Sequence, residues 1–441
     1  MNAIDQSGAV RPASPSKTRA GTVALLVLTS TMLLMDTSLI SLLIEPMRRD
    51  LQFSDAELGL LQGAFPTIAF ALCALPIGLL VDRFNRVKMI LVALIVWTLA
   101  LVLIVIAPGF WLLAVAKLLI GAVQAVLTTA PFSLIADLSQ RSRRSTAIGA
   151  LVIGQSLGAG LGFALGGVIF TAMSAIIDVE PWRATILIFG AFGVALIPFF
   201  IAIKEPERTE TGEALSGFGT LLRELRQHAA TIWPLFVGYA FALVAASVLQ
   251  VWTAPSLMRV YAMTELEVGN LVGLITLAGG VIGALLAAWI IELLRRRNRK
   301  GALAMGVAAV LVGVAGAMAL MPTGFAAVAM FGLGLTASTF VGTAVPTFLM
   351  LYLPNELRGL AGGALILLSL GTGATIGPSA VALISESLPG EQALAQAMAI
   401  TGIVGGILAL VFFGILSVLS RGARGAVPVD ARQSSGSERL S

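Results

Sequence analysis

Charge is what this chain has least of. Asp, Glu, Lys and Arg make up 12% of its 441 residues, while 58% are hydrophobic, and the mean hydropathy is +0.97. Water-soluble domains carry about 25% charged residues, so a soluble fold is excluded. Histidine is nearly missing: the one present, His228, leaves no basis for a histidine-rich metal site. The one cysteine, Cys73, lies in an apolar run, so no disulfide can form within the chain. No G-x-x-x-x-G-K-[ST] loop is available to cradle nucleotide phosphates, which argues against an ATP-driven pump. No cluster of nucleophile, base and metal ligands suggests an enzyme. No repeated filter loop or ring of like charge suggests a channel. No cofactor is implied.

What the chain has in place of charge is a series of long apolar runs. They predict an all-α membrane protein of about twelve spans, near 21–47, 57–81, 88–107, 111–137, 145–171, 183–203, 229–258, 266–293, 301–321, 325–352, 358–385 and 392–419. The first run is too long for the core of a cleaved signal peptide and reads as a span. Glycine, at 47 residues, suits membrane helices that approach closely. The loops alternate in charge. Arg11, Lys17 and Arg19 precede the first span, and Arg83, Arg86 and Lys88 fill the second-to-third loop. Arg141, Arg143 and Arg144 fill the fourth-to-fifth, Arg295 to Lys300 the eighth-to-ninth, and Arg421 and Arg424 follow the last span. The opposite loops carry Asp55, Glu57, Asp178, Glu180, Glu265, Glu267, Glu386 and Glu391; Arg48 and Arg49 there are offset by Glu45 and Asp50. This positive-inside pattern puts both termini in the cytoplasm of a bacterial inner membrane. The net charge of +5 is spread over many loops, so it reads as a topology signal and not as a nucleic-acid surface. The organisation expected is a tail (1–20), a six-helix bundle (21–203), a polar cytoplasmic linker (204–228), a second six-helix bundle (229–420) and a disordered tail (421–441).

The two halves echo each other. Gly78-Leu-Leu-Val-Asp82-Arg83-Phe84-Asn85-Arg86-Val87-Lys88 places a charged hinge between two spans, and Glu292-Leu-Leu-Arg-Arg-Arg-Asn-Arg-Lys300 repeats it more weakly. The pattern R-x-x-A-x-G-A-L opens the fifth span at Arg144 and the eleventh at Arg358, at nearly the same offset. Duplicated halves in one orientation suggest pseudo-symmetric bundles around a central site. Gly154, Gly158, Gly162 and Gly166 recur on one face of the fifth span, and Gly373 with Gly377-Pro378 marks the eleventh. These positions predict close helix packing, and also a place where the halves meet and bend.

A few polar groups interrupt the spans. Asp36 lies in the first, about 16 Å below its outer end, and Lys117 in the fourth, about 9 Å below its own. A carboxylate at that depth needs a partner, hydration or a proton, so an Asp36–Lys117 pair is expected. Two roles stay open: a static pair that fixes packing, or a protonatable carboxyl that couples proton movement to conformation. Gln124 lies two turns deeper. Gln155, Tyr239, Gln250, Thr276, Ser338, Thr339 and Thr343 are candidates to line a central cavity, although Ser and Thr often bond only their own helix. At the hinge, Asp82 is expected to dock on the start of the eleventh span near Arg358, because helix N-termini attract anions, and Arg83 to pair with Asp137.

At these residues the chain resembles the major facilitator superfamily: Gly78, Asp82-Arg83 and the following bases match its hinge signature, with Asn85 where the family usually has Gly. Within it, the chain is similar to bacterial relatives of the spinster transporters. The likeness runs through Ser41 to Leu51, Ser54-Asp55, Gly59 to Gly63, Asp82 to Arg86, and Pro131 to Leu138. The resemblance implies a secondary transporter with a central cavity and a functional acid at Asp36. The chain departs from it in having Thr37 where Arg is common, Lys117 where Arg is usual, and Gln124 where Glu is usual. The function expected is alternating-access transport of a small amphipathic or apolar organic solute by a monomer in contact with membrane lipid. Proton-coupled efflux, uncoupled exchange and a transport-inactive sensor or scaffold stay open.

Overall fold

The computed structural model describes residues 17–139, 143–177, 180–206, 226, 228–296, 301–353, 355–390 and 392–422. Most of the expected linker and tails, and Asp178, Arg297 to Lys300 and Glu391, lie outside them. Among the described residues, twelve helices are long and apolar enough to cross a membrane. They are α1 (Lys17–Leu51), α2 (Asp55–Gly59, a π-helical turn at Leu60–Ala64, then Phe65–Arg83), α3 (Arg86–Ile106) and α4 (Phe110–Leu138). Next come α5 (Arg144–Ser174), α6 (Pro181–Ala202), α7 (Ala229–Tyr261) and α8 (Glu265–Arg296). The series ends with α9 (Gly301–Ala315, closed by a 3-10 turn at Gly316–Leu320), α10 (Gly324–Tyr352), α11 (Asn355–Ser387) and α12 (Ala393–Gly422).

Lipid offers no hydrogen bonds, so each span satisfies its backbone internally. The ends are set by local chemistry. Ser54 and Glu57 form a reciprocal capping box at the start of α2, and Thr264 with Glu267 does the same before α8. Asn85 caps α3 by accepting from Lys88 N at 2.8 Å, which gives this Asn a physical reason to stand in the hinge. α1 runs past its expected end to Leu51, because Arg48 and Arg49 pair back with Glu45 one turn away and continue the helix.

The helices form two bundles of six, α1–α6 and α7–α12. In the first, α1 packs on α5, α2 on α4, and α3 on α4 and α6; in the second, α7 packs on α11 and α12, α8 on α10, and α9 on α12. The bundles meet mainly along α5–α8 and α2–α11, with α1 against α7. The first two contacts are equivalent under the internal repeat. We call the end holding the Arg- and Lys-rich loops the basic end and the other the acidic end. Glycine contacts between the bundles run from the acidic end as far as Ala71–Gly371 and Ser156–Gly280, where a Cβ on the glycine would lie 3.7 and 3.9 Å from its neighbour. Nearer the basic end, Gly78, Gly149, Gly342 and Gly363 have only open space where a Cβ would stand. On the meeting helices α2, α5 and α11, no described glycine nearer the basic end touches the other half.

Candidate functional site

Asp36 and Lys117 are both buried, at 3% and 6% exposure. They act on each other electrostatically but form no direct pair. Lys117 Nζ instead donates to Gln62 Oε1 at 2.8 Å, while Asp36 Oδ1 has no hydrogen-bond partner and the Trp97 side chain faces the carboxyl. The expected ion pair is thus corrected to a lysine held by a neutral amide beside an unmatched carboxyl. Gln124 is half-buried on α4, and its backbone carbonyl accepts from Thr128.

At the acidic end, charge crosses between the halves. Glu45 of α1, 1% exposed, accepts from Arg48 and Arg49 on its own helix and from Arg259 of α7 at 2.6 Å. Arg259 also pairs with Asp55 of α2 at 2.9 Å, and Asp55 accepts from Ser385 of α11 at 3.2 Å. Alongside, Ala56 N donates to Glu386 at 2.8 Å, and Ser41 Oγ donates to the Gln250 carbonyl at 2.9 Å. Sequence reasoning missed Arg259. The available signal was an arginine at the outer end of the seventh span with no acid beside it in sequence to offset it.

At the basic end, Arg86 draws its described partners from the first half and the chain just after it. Arg86, 2% exposed, pairs with Asp137 of α4 at 2.5 Å and with Glu205 at 2.7 Å. It also donates to Ser133 Oγ. Glu205 accepts from Val87 N at 3.0 Å, holding the first turn of α3. Arg144 donates to the Ala136 carbonyl near the end of α4. The expected Arg83–Asp137 pair is therefore replaced by Arg86–Asp137: Asn85 starts α3 so that Arg86 points inward, whereas Asp82, Arg83 and Lys88 are exposed. The expected Asp82–Arg358 contact lies outside what is described, since the Arg358 side chain is not among the described groups.

The glycine faces divide by partner. Gly154, Gly158, Gly162 and Gly166 pack on Val27, Thr31, Met35, Ser38 and Leu39 of α1, inside the first half. Gly373 and Gly377 pack on α7 inside the second. The meeting face of α5 is instead the adjacent line of Gly160 and Gly167, set against Gly273 and Gly269 of α8. Pro378 does reach across: it lies 3.1 Å from the Cβ position of Gly63. Of the other candidates, Gln250 is exposed, Gln155, Tyr239, Thr276, Ser338, Thr339 and Thr343 are half-buried, and Thr339 and Thr343 bond their own helix. Two apolar grooves, of 890 and 670 Å³, lie within single halves: one among α8, α9, α10 and α12, the other among α2, α3 and α4. Their linings contain none of the mid-membrane candidates.

Comparison with known proteins fits this architecture. The family model described as Major Facilitator Superfamily matches residues 26–378. An MFS-type efflux pump of Mycolicibacterium smegmatis is 25% identical over 389 residues, covering 85% of this chain and 87% of that protein. Protein spinster homolog 3 of Danio rerio is 26% identical over 263 residues, and the match spans 55% of this chain and about half of that protein, 51%. The crystal structure of a bacterial homologue of the human lysosomal transporter spinster, inward-facing and unoccupied, superposes with a TM-score of 0.79 at 22% identity, covering 95% of this chain and 100% of that one.

Proposed function

Because the chain belongs to the major facilitator superfamily, it is a multi-pass membrane transporter of that class, and we propose that it moves a small amphipathic or apolar organic solute by alternating access. The observation that carries this reading is the cross-half network of Glu45, Arg259 and Asp55 at one end, opposite an end where Gly78, Gly149 and Gly363 of the meeting helices face open space. Such a network is a gate: it must break when the acidic end opens. The positive-inside rule puts the basic end in the cytoplasm of a bacterial inner membrane, with both termini there. The structure then represents the inward-open state, and the protein works as a monomer surrounded by lipid.

Proton-coupled efflux is the coupling we favour. A buried carboxyl takes up a proton while Lys117 is held elsewhere, and loses it when Lys117 returns to pair with it. The alternative is uncoupled exchange, supported by Gln124, whose amide cannot titrate. A thermal-shift screen of organic solutes, followed by flux of the hits into liposomes, provides the assay. Asp36→Asn is expected to abolish transport driven by a pH gradient and to leave solute exchange intact. Gradient-driven transport that persists in this variant rejects proton coupling. No flux of any hit by the wild-type protein rejects transport itself.

A further inference from the structure

We propose that Gln62 is a positioning residue that competes with Asp36 for Lys117, and so ties the buried carboxyl to the interface between the halves. This rests on the alternating-access reading above. Lys117 Nζ is bonded to Gln62 at 2.8 Å, and Asp36 Oδ1 is buried with no partner. Asp36 and Lys117 are the charges that act on one another, with the Trp97 side chain the other polar group at the carboxyl. A lysine stem is long and flexible and its ammonium has three donors, so its side chain can exchange the amide for the carboxylate by reorienting.

The location of Gln62 gives that choice a mechanical consequence. It stands in the π-helical turn Leu60–Ala64, closed by a bond from Phe65 N to the Leu60 carbonyl. Pro66 explains the turn: it has no N–H, which leaves the Gln62 carbonyl without its α-helical donor, and the wider winding accommodates this. The neighbouring face of the same segment is the contact with the other half. A Cβ on Gly59 would lie 2.6 Å from Ala382 Cβ, and one on Gly63 3.1 Å from Pro378. Pro378 is anchored in its own half by Trp252 Nε1, which donates to its carbonyl at 3.2 Å. A π turn is one residue of slack in a helix. With Lys117 bound to Gln62 the slack is pinned and α2 fits α11 as observed. With Lys117 on Asp36 the turn is released to re-register, and the fit at the acidic end loosens.

The test uses the full chain in liposomes, with Cys73→Ser and spin labels at exposed Ser174 of α5 and Ser387 of α11, which report the separation of the halves at the acidic end. The wild type is expected to show a closed and an open population. Asp36→Asn, which leaves Lys117 on Gln62, is expected to raise the closed-to-open ratio about tenfold, the size of one hydrogen bond to a charged group. Gln62→Met, which keeps the length and removes the oxygen, is expected to abolish that response. Gln62→Glu is expected to raise the closed population with Asp36 intact. The proposal is overturned by an Asp36→Asn shift of equal size in the Gln62→Met background, or by no shift in Gln62→Glu. A single wild-type distance at every pH and salt concentration would instead reject alternating access, and so separates that failure from this one.

Discussion

The two ends of the molecule use the same ion-pair chemistry for different mechanical purposes. At the acidic end, Arg259 of one half reaches Glu45 and Asp55 of the other. At the basic end, Arg86 binds Asp137 and Glu205 without reaching the second half. Both arginines serve two carboxylates, yet one network joins the two halves and the other lies beside the first half alone. A buried ion pair adds little net stability but is costly to break from one side. Placed across a hinge, that property makes a latch; placed within a bundle, it makes a brace.

Substituting either arginine is expected to have the largest effect. Arg86→Ala leaves two carboxylates facing a buried vacancy, and a loss of about 3 kcal/mol of stability is expected, read as a lowered melting temperature with the acidic-end distances unchanged. Arg259→Ala strips Glu45 of its partner from the second half. Arg48 and Arg49 remain beside it, so a smaller loss is expected, about 2 kcal/mol. It should appear as a shift toward the acidic-end-open population in spin-label distances, with little change in melting. If the two variants exchange these signatures, the assignment of latch and brace is wrong.

Smaller effects sharpen the picture. Gly269 of α8 packs against the Phe163 carbonyl and the backbone of Gly167. Gly269→Val should wedge α5 from α8 at a cost of about 1–3 kcal/mol, populating the acidic-end-open state; an unchanged distance distribution would show that this seam does not close the gate. Asn85→Ala removes only the cap of α3, and a loss of about 1 kcal/mol in thermal stability is expected, with no effect on the population of either state.

How far the sequence could be read depended on which force set each feature. The spans were legible because lipid demands long uncharged runs; the caps at Ser54 and Asn85, three residues before the runs expected from 57 and 88, were not read from the sequence. The two halves were legible through the repeated hinge and the R-x-x-A-x-G-A-L openings at Arg144 and Arg358. Partners across helices were not. The glycine line from Gly154 to Gly166 announces a close contact, but which helix it meets depends on a rotation about the α5 axis that the periodicity leaves free. Neighbouring Gly160 and Gly167 took the cross-half contact. Arg83 and Arg86 look interchangeable as letters; the cap at Asn85 turns one inward and leaves the other in solvent. Asp36 and Lys117 stood out as charges in apolar runs, but Gln62, an uncharged residue in an ordinary-looking segment, holds the lysine. The π turn that positions it arises from Pro66 and packing on α4, where a Cβ on Gly121 would strike the Pro66 backbone.

The central claim, that the acidic-end seam must part in every cycle, is tested most directly by a reversible cross-link. Ala164 of α5 lies 3.1 Å from the Cβ position of Gly273 of α8, close to the roughly 3.5–4.5 Å of a disulfide. Cysteines at these two positions, with Cys73→Ser, should stop solute flux in liposomes when oxidised and restore it on reduction. Undiminished flux through fully cross-linked protein would contradict the account.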